Sequence, residues 1–190
     1  MSSLAIRRAV PANPLTGSVA TAQVFTNISN PLSPNVLAVP GKLAIEGRKF
    51  SVRAEGNALT VGAYTFKPTL LGALTIPGTP LTAANWTTLG SGTARAIATT
   101  WGGWYIEADL IFDSQSGILS GSFSQLVNNL FDARAALAAT LTGINGSNVP
   151  VLQGATTVPP ADPVAYLAVA GTFGTAGLNV ANLMNFEIGF

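Results

Sequence analysis

The chain contains no cysteine and no histidine in 190 residues. Without cysteine it has no disulfide, no thiolate metal site and no thiol nucleophile. Without histidine it has no Ser-His-Asp triad, no ordinary zinc centre and not the commonest general base. Carboxylate, lysine, tyrosine and hydroxyl chemistry remain, but no strong catalytic motif uses them. The sequence therefore predicts a structural or binding protein, not an enzyme, with no catalytic residues, cofactor or metal.

Charge is also scarce: 9% of residues are charged, against roughly 25% in an average soluble domain. A compact monomer of this mass exposes about 8,500 Å², so its charges stand about one per 500 Å². So dilute a surface predicts contact with copies of the chain or with a larger partner. Nine basic residues against eight acidic ones leave a net charge of +1. The basic residues are scattered, which argues against a nucleic-acid partner.

The mean hydropathy of +0.42 raises the question of a membrane span, and residues 163–186 carry no charge. Pro163, Gly171, Gly174 and Gly177 interrupt that stretch, and its apolar residues alternate. It reads as strands, with no membrane partner. The amino end holds Arg7 and Arg8 with no apolar run after them, so no cleaved signal is expected.

Two regions emerge. Residues 1–40 include Pro11, Pro14, Pro31, Pro34 and Pro40, carry two charges and lack a sustained period. Proline fixes φ and removes a backbone donor, so this segment reads as an extended arm that pairs only in short pieces. Its apolar residues, among them Val10, Leu15, Phe25 and Leu32, are expected to order it against a neighbour or a host assembly. Residues 41–190 change to a period of two. Phe50, Val52 and Ala54 alternate with Lys49, Arg53 and Glu55, and Gly56-Asn57 reads as a turn into a second strand over 59–66. Trp104, Ile106, Leu110 and Phe112 point to a core, joined by Phe123, Phe173, Phe186 and Ile188, and Met184 falls in phase with the last two. Asp113 to Gly117 predicts a hairpin turn, and Asn128-Asn129 a tight turn. Residues 131–140 have helical propensity but sit among strands, and a strand is favoured. The fold class is all-β, an antiparallel jelly-roll-like sandwich with an extended amino-terminal arm.

Three groupings invite a chemical reading. Glu107, Asp109 and Asp113 share a strand parity, and neighbours two apart stand about 7 Å from each other, a spacing inverting glycosidases use. A solvated strand face ending in an Asx turn explains the same pattern and is preferred. Trp101, Trp104 and Tyr105 around Gly102-Gly103 are candidates for stacking a sugar ring, although Trp104 is in phase with the core. Gly90-Ser91-Gly92-Thr93 lacks the Lys-Ser/Thr ending of a phosphate loop. Arg48, Lys49 and Arg53 form the densest basic group, read as a solvated edge or a contact with an acidic partner.

The charged strand Gly47-Arg48-Lys49-Phe50-Ser51-Val52-Arg53-Ala54, the Trp-Tyr-x-Glu-Ala strand before Asp-Ser-Gln-Ser-Gly, and the ending Asn182-Leu183-Met184-Asn185-Phe186-Glu187-Ile188 together resemble the jelly-roll decoration, or cement, proteins on the capsids of tailed bacteriophages. The likeness covers residues 41–190 and rests on layout. It implies a virion protein on the capsid exterior, made in the host cytoplasm, that assembles as a homotrimer and binds the major capsid protein. Arg7, Arg8, Val10, Leu15, Phe25 and Leu32 would then be shell contacts, with Arg48, Lys49 and Arg53 secondary. The alternative is a carbohydrate- or receptor-binding sandwich of a phage tail or fibre, using Trp101, Trp104 and Tyr105.

Overall fold

The computed structural model describes residues 6–9, 11–17, 22–39, 49–60, 64–97, 100–113, 118–140, 165–175 and 177–189. The side chains of 6–8, 112, 113, 118, 119 and 137–140 lie outside the described set. The strands are β1 (Ile6–Arg8), β2 (Leu15–Gly17), β3 (Gln23–Val24), β4 (Thr26–Asn27), β5 (Asn30–Pro34), β6 (Val36–Val39), β7 (Lys49–Leu59), β8 (Thr65–Ala73), β9 (Thr87–Ser91), β10 (Arg95–Ala96), β11 (Gly102–Asp113), β12 (Ile118–Val127), β13 (Leu130–Thr140), β14 (Ala165–Phe173) and β15 (Asn179–Gly189). A single 3-10 turn, Ala83–Asn85, is the one helical element among the described residues, none of which form a helix long and apolar enough to cross a membrane.

All the strand pairs among the described residues are antiparallel. The first sheet runs β1/β2, β15, β7, β11, β12, β13, and the second runs β3/β6, β14, β8, β9/β10. Taking each pair of short pieces as one position and setting aside the β12–β13 hairpin, the chain supplies eight positions. Their spatial orders are 1-8-3-6 and 2-7-4-5, the jelly-roll arrangement. The β12–β13 hairpin widens the first sheet, and β4 and β5 form a separate ribbon.

The inner faces meet in one core. Phe50, Val52, Trp104, Ile106, Leu110, Phe123, Phe186 and Ile188 of the first sheet pack against Phe66, Leu70, Leu167, Val169 and Phe173 of the second. The period of two thus places Phe50, Val52, Trp104, Ile106, Leu110, Phe123, Phe173, Phe186 and Ile188 correctly in the core, misplaces Met184, and also selects Phe112, whose side chain is outside the described set. The second sheet is covered on its outer face too, where Trp86 and Ala83 pack on Val24, Leu71, Ala73, Ala168 and Ala170. That double burial explains why β14, and β8 from Leu70 to Ala73, read as nearly continuous apolar runs.

Several local expectations hold and several change. Asn128 and Asn129 take φ of 50° and 63° and close a two-residue hairpin in which Val127 faces Leu130. Residues 131–140 are strand, and β11 and β12 form a hairpin in which Asp113 faces Ile118. Gly56-Asn57, in contrast, is not a turn: β7 runs straight through it, and β8 lies in the other sheet. A Cβ on Gly56 would overlap the Asn182 carbonyl oxygen and approach the Trp104 ring to 2.7 Å. This glycine therefore serves close packing, not chain reversal. Met184 leaves the core face because β15 shifts register between Leu183 and Asn185, opposite Gly56 and Glu55. The extra residue reverses the parity, and Met184 is 71% exposed.

The described part of residues 1–40 does run extended and pair in short pieces, but its partners belong to this chain. β1 and β2 pair with β15, and β3 and β6 with β14. Leu15, Val24, Phe25, Leu37 and Val39 are buried. Its apolar content orders it against its own sandwich.

Candidate binding surface

The outer face of the first sheet carries most of the described charge. Lys49 Nζ lies 2.9 Å from Asp109 Oδ2, and Arg53 Nη2 lies 3.2 Å from Glu107 Oε1. Arg134, from β13, reaches 3.3 Å from Glu107 Oε2 and also pairs with Asp109. Partial burial pushes the Asp109 carboxyl upward, but hydrogen bonds from Arg134 and Lys49 outweigh it and hold the group below the ordinary carboxylate range. Glu107 and Asp109 are therefore rungs of a cross-strand ion-pair ladder. Being solvent-facing, each pair adds little stability. The Asp113 side chain lies outside the described set.

A second polar group joins the two sheets. The Gln125 amide donates to Asp132 Oδ2 at 2.8 Å and to the Thr93 carbonyl at 2.6 Å. The Thr93 N–H donates to Asp132 Oδ2 at 2.6 Å, and Arg95 pairs with Asp132. Burial raises the Asp132 carboxyl, but the bonds from Thr93, Arg95 and Gln125 depress it further than burial lifts it. A register shift opposite Phe123 and Gln125 lets Asp132 turn inward while Arg134, two residues later, turns outward. Gly90 and Gly92 pack against Phe123 and Gln125, where a Cβ would collide. The Gly90-Ser91-Gly92-Thr93 stretch is thus a close-packed seam, not a phosphate cradle. Sequence parity alone hides this clamp, because the register shift that builds it breaks the alternation.

The candidate contact residues scatter. Arg7 and Arg8 pair through their backbones with Ile188 and Glu187, while their side chains are outside the described set. Val10 and Arg48 are also outside the described residues. Leu15 and Phe25 are corrected: both are buried in this chain's core and offer nothing to a shell. Lys49 and Arg53 face outward but are engaged in the ladder. Leu32, on the β4–β5 ribbon, is 81% exposed, with Ile28 exposed at the adjoining turn.

Among the aromatic candidates Trp104 is corrected as well. It is 2% exposed, stacks on Phe25 at 6.0 Å and 24°, and meets Phe66 at 5.8 Å in a tilted contact of 49°. Trp101 is 52% exposed, Gly103 is exposed and Tyr105 is half-buried, whereas Gly102 and Trp104 between them are buried. The three odd-numbered positions thus share the outer face. Burial, and then the Glu107 carboxylate beside it, push the Tyr105 hydroxyl above its ordinary pKa, so it is a neutral donor near pH 7. Gly103 faces Asn57, which faces Asn182. The Asn182 amide donates to Asn57 Oδ1 at 2.7 Å. Sequence reading missed both asparagines, because only strand pairing places them beside Gly103.

Two hollows are also present. One of about 330 Å³ is lined by Pro14, Leu15, Gln23 and Leu81 among others, and one of about 240 Å³ by Ala9, Pro11, Leu183 and Met184 among others. Among the described residues, neither is lined by an ionisable side chain. Among the described residues, no group of three acidic side chains is placed to hold a metal. The fold and surface define an antiparallel jelly-roll sandwich with exposed apolar and aromatic side chains. No protein-family model matches the chain, and no curated protein matches it.

Proposed function

We propose that this chain is a structural virion protein that decorates a tailed-phage capsid, binding the shell of the major capsid protein and stabilising the head. Its place is the capsid exterior, and its working form is a homo-oligomer, with three copies suggested by the family resemblance. The reading is carried by one observation: a jelly roll that buries a complete core still exposes Ile28, Leu32, Trp101, Leu130, Phe131, Leu178 and Met184. Its ladder charges are meanwhile consumed in pairs. Such a surface suits coverage by other protein. The ribbon tip, Ile28 and Leu32, is the contact that replaces the buried Leu15 and Phe25.

Deleting residues 1–40 would remove two strand positions and Phe25 from the fold, so point variants give the cleaner experiment. The purified chain is added to heads that lack it and sedimented with them. The wild type is expected to pellet with the heads and raise their rupture temperature, and Ile28→Asp with Leu32→Asp is expected to abolish both effects while the dichroism spectrum is retained. A wild-type chain that stays in the supernatant refutes the proposal.

A further inference from the structure

We infer that the Trp101 end of the first sheet's outer face is a binding platform for a neutral oligosaccharide, an inference that does not rest on shell binding. Trp101, Gly103 and Tyr105 share that face at successive alternate positions of one extended segment, so the two aromatic residues stand about 13 Å apart along it. Between them Gly103 leaves the sheet bare, and a Cβ there would meet no atom within 4 Å. This glycine is unlike Gly56 or Gly90, whose neighbours forbid a side chain. The result is a shallow trough with an aromatic group at each end.

The floor beside Gly103 is polar and uncharged. Asn57 lies on the neighbouring strand, about 4.8 Å away, in register with Gly103. Asn182 follows on the strand beyond it. Their mutual hydrogen bond uses Asn57 Oδ1 and one Asn182 N–H. Within the described residues, the Asn57 NH₂ and the Asn182 Oδ1 remain as a donor and an acceptor. A pyranose has an apolar C–H face for an aromatic ring and hydroxyls at its edge for amides, so it matches both parts of this surface. A purely apolar protein contact would leave the two amides desolvated without partners. The exposed carboxylate of Glu55, facing Tyr105 across the strands, accepts from hydroxyls and repels anionic sugars, which selects a neutral ligand.

The test applies the full-length chain to immobilised neutral and sialylated oligosaccharides and titrates the tightest neutral binder by tryptophan fluorescence. Binding confined to neutral glycans is expected. Trp101→Ala removes one stacking group, and Gly103→Leu fills the trough from a Cβ position that meets no atom within 4 Å. Each should weaken binding by about tenfold or more at an unchanged melting temperature. Absence of binding to every glycan overturns the inference, as does affinity retained in both variants. Loss of self-association in Trp101→Ala, with no glycan bound by the wild type, would assign the platform to a protein contact instead and likewise overturn it.

Discussion

Trp104→Ala will destabilise the sandwich measurably, whereas Trp101→Ala, three residues away, will leave it nearly untouched. Trp104 joins three parts of the chain: its own strand β11, Phe66 of the opposite sheet and Phe25 of the amino-terminal segment. Truncating a buried tryptophan to alanine costs about 3–5 kcal/mol. Part of that is returned, because the indole Nε1 is buried with no hydrogen-bond partner among the described residues. An orphaned donor of this kind costs roughly 1–3 kcal/mol. With both ranges at their midpoints the net loss is about 2 kcal/mol, which for a domain of this length lowers Tm by about 4–8 °C. Trp104→Phe keeps a ring against Phe25 and Phe66 and removes the orphaned N–H, so it should fall within about 1 kcal/mol of wild type. Trp101→Ala should change stability by less than about 0.5 kcal/mol. Thermal unfolding followed by far- and near-ultraviolet dichroism measures all three. A Tm for Trp104→Ala within about 2 °C of wild type would refute the reasoning, and so would a Trp104→Phe as damaged as the alanine variant.

Two further outcomes follow from the packing and the clamp. Gly56→Ala should cost about 1–3 kcal/mol or more in urea unfolding, because the new methyl meets the Asn182 backbone as well as the Trp104 ring; a neutral result would refute the close packing at that position. Asp132 titrates below the ordinary carboxylate range when folded, so the unfolded chain takes up its proton first; the stability it contributes is complete above about pH 4 and drains away as pH falls through the depressed folded value. Asp132→Asn should therefore be less stable than wild type at pH 7, with the gap narrowing toward pH 2, and a constant gap across that range would dissociate the clamp from the carboxylate charge.

Much of the sandwich was legible because alternation is a local consequence of the pleat. Wherever one face is buried and the other wet, as in Phe50-Ser51-Val52-Arg53 or Trp104-Tyr105-Ile106-Glu107, the chain displays its own parity without reference to a partner. Asn128-Asn129 was legible for a similar reason, since positive φ at two successive residues is a property of those residues. Even so, parity fails one residue beyond a register shift. Met184 was assigned inward because nothing in the sequence marks the bulge that turns it outward.

Of the candidate surface, the sequence supplied the aromatic residues and their parity, which already leaned Trp104 toward the core. It did not supply the asparagines, since Asn57 and Asn182 become neighbours of Gly103 only through pairing with strands distant in the chain. The same distinction separates the chain's glycines: composition cannot tell Gly103, open to solvent, from Gly56, pressed between a carbonyl and an indole. The sequence alone determined an all-β chain without thiol or imidazole chemistry, because those properties depend on residue type and local period. Only the tertiary structure decided that β1, β2, β3 and β6 are woven into the two sheets, because their pairing depends on which edges of β14 and β15 stand open to receive them. The free energy of that choice lies in long-range contacts, such as Phe25 against Trp104, that no local window contains.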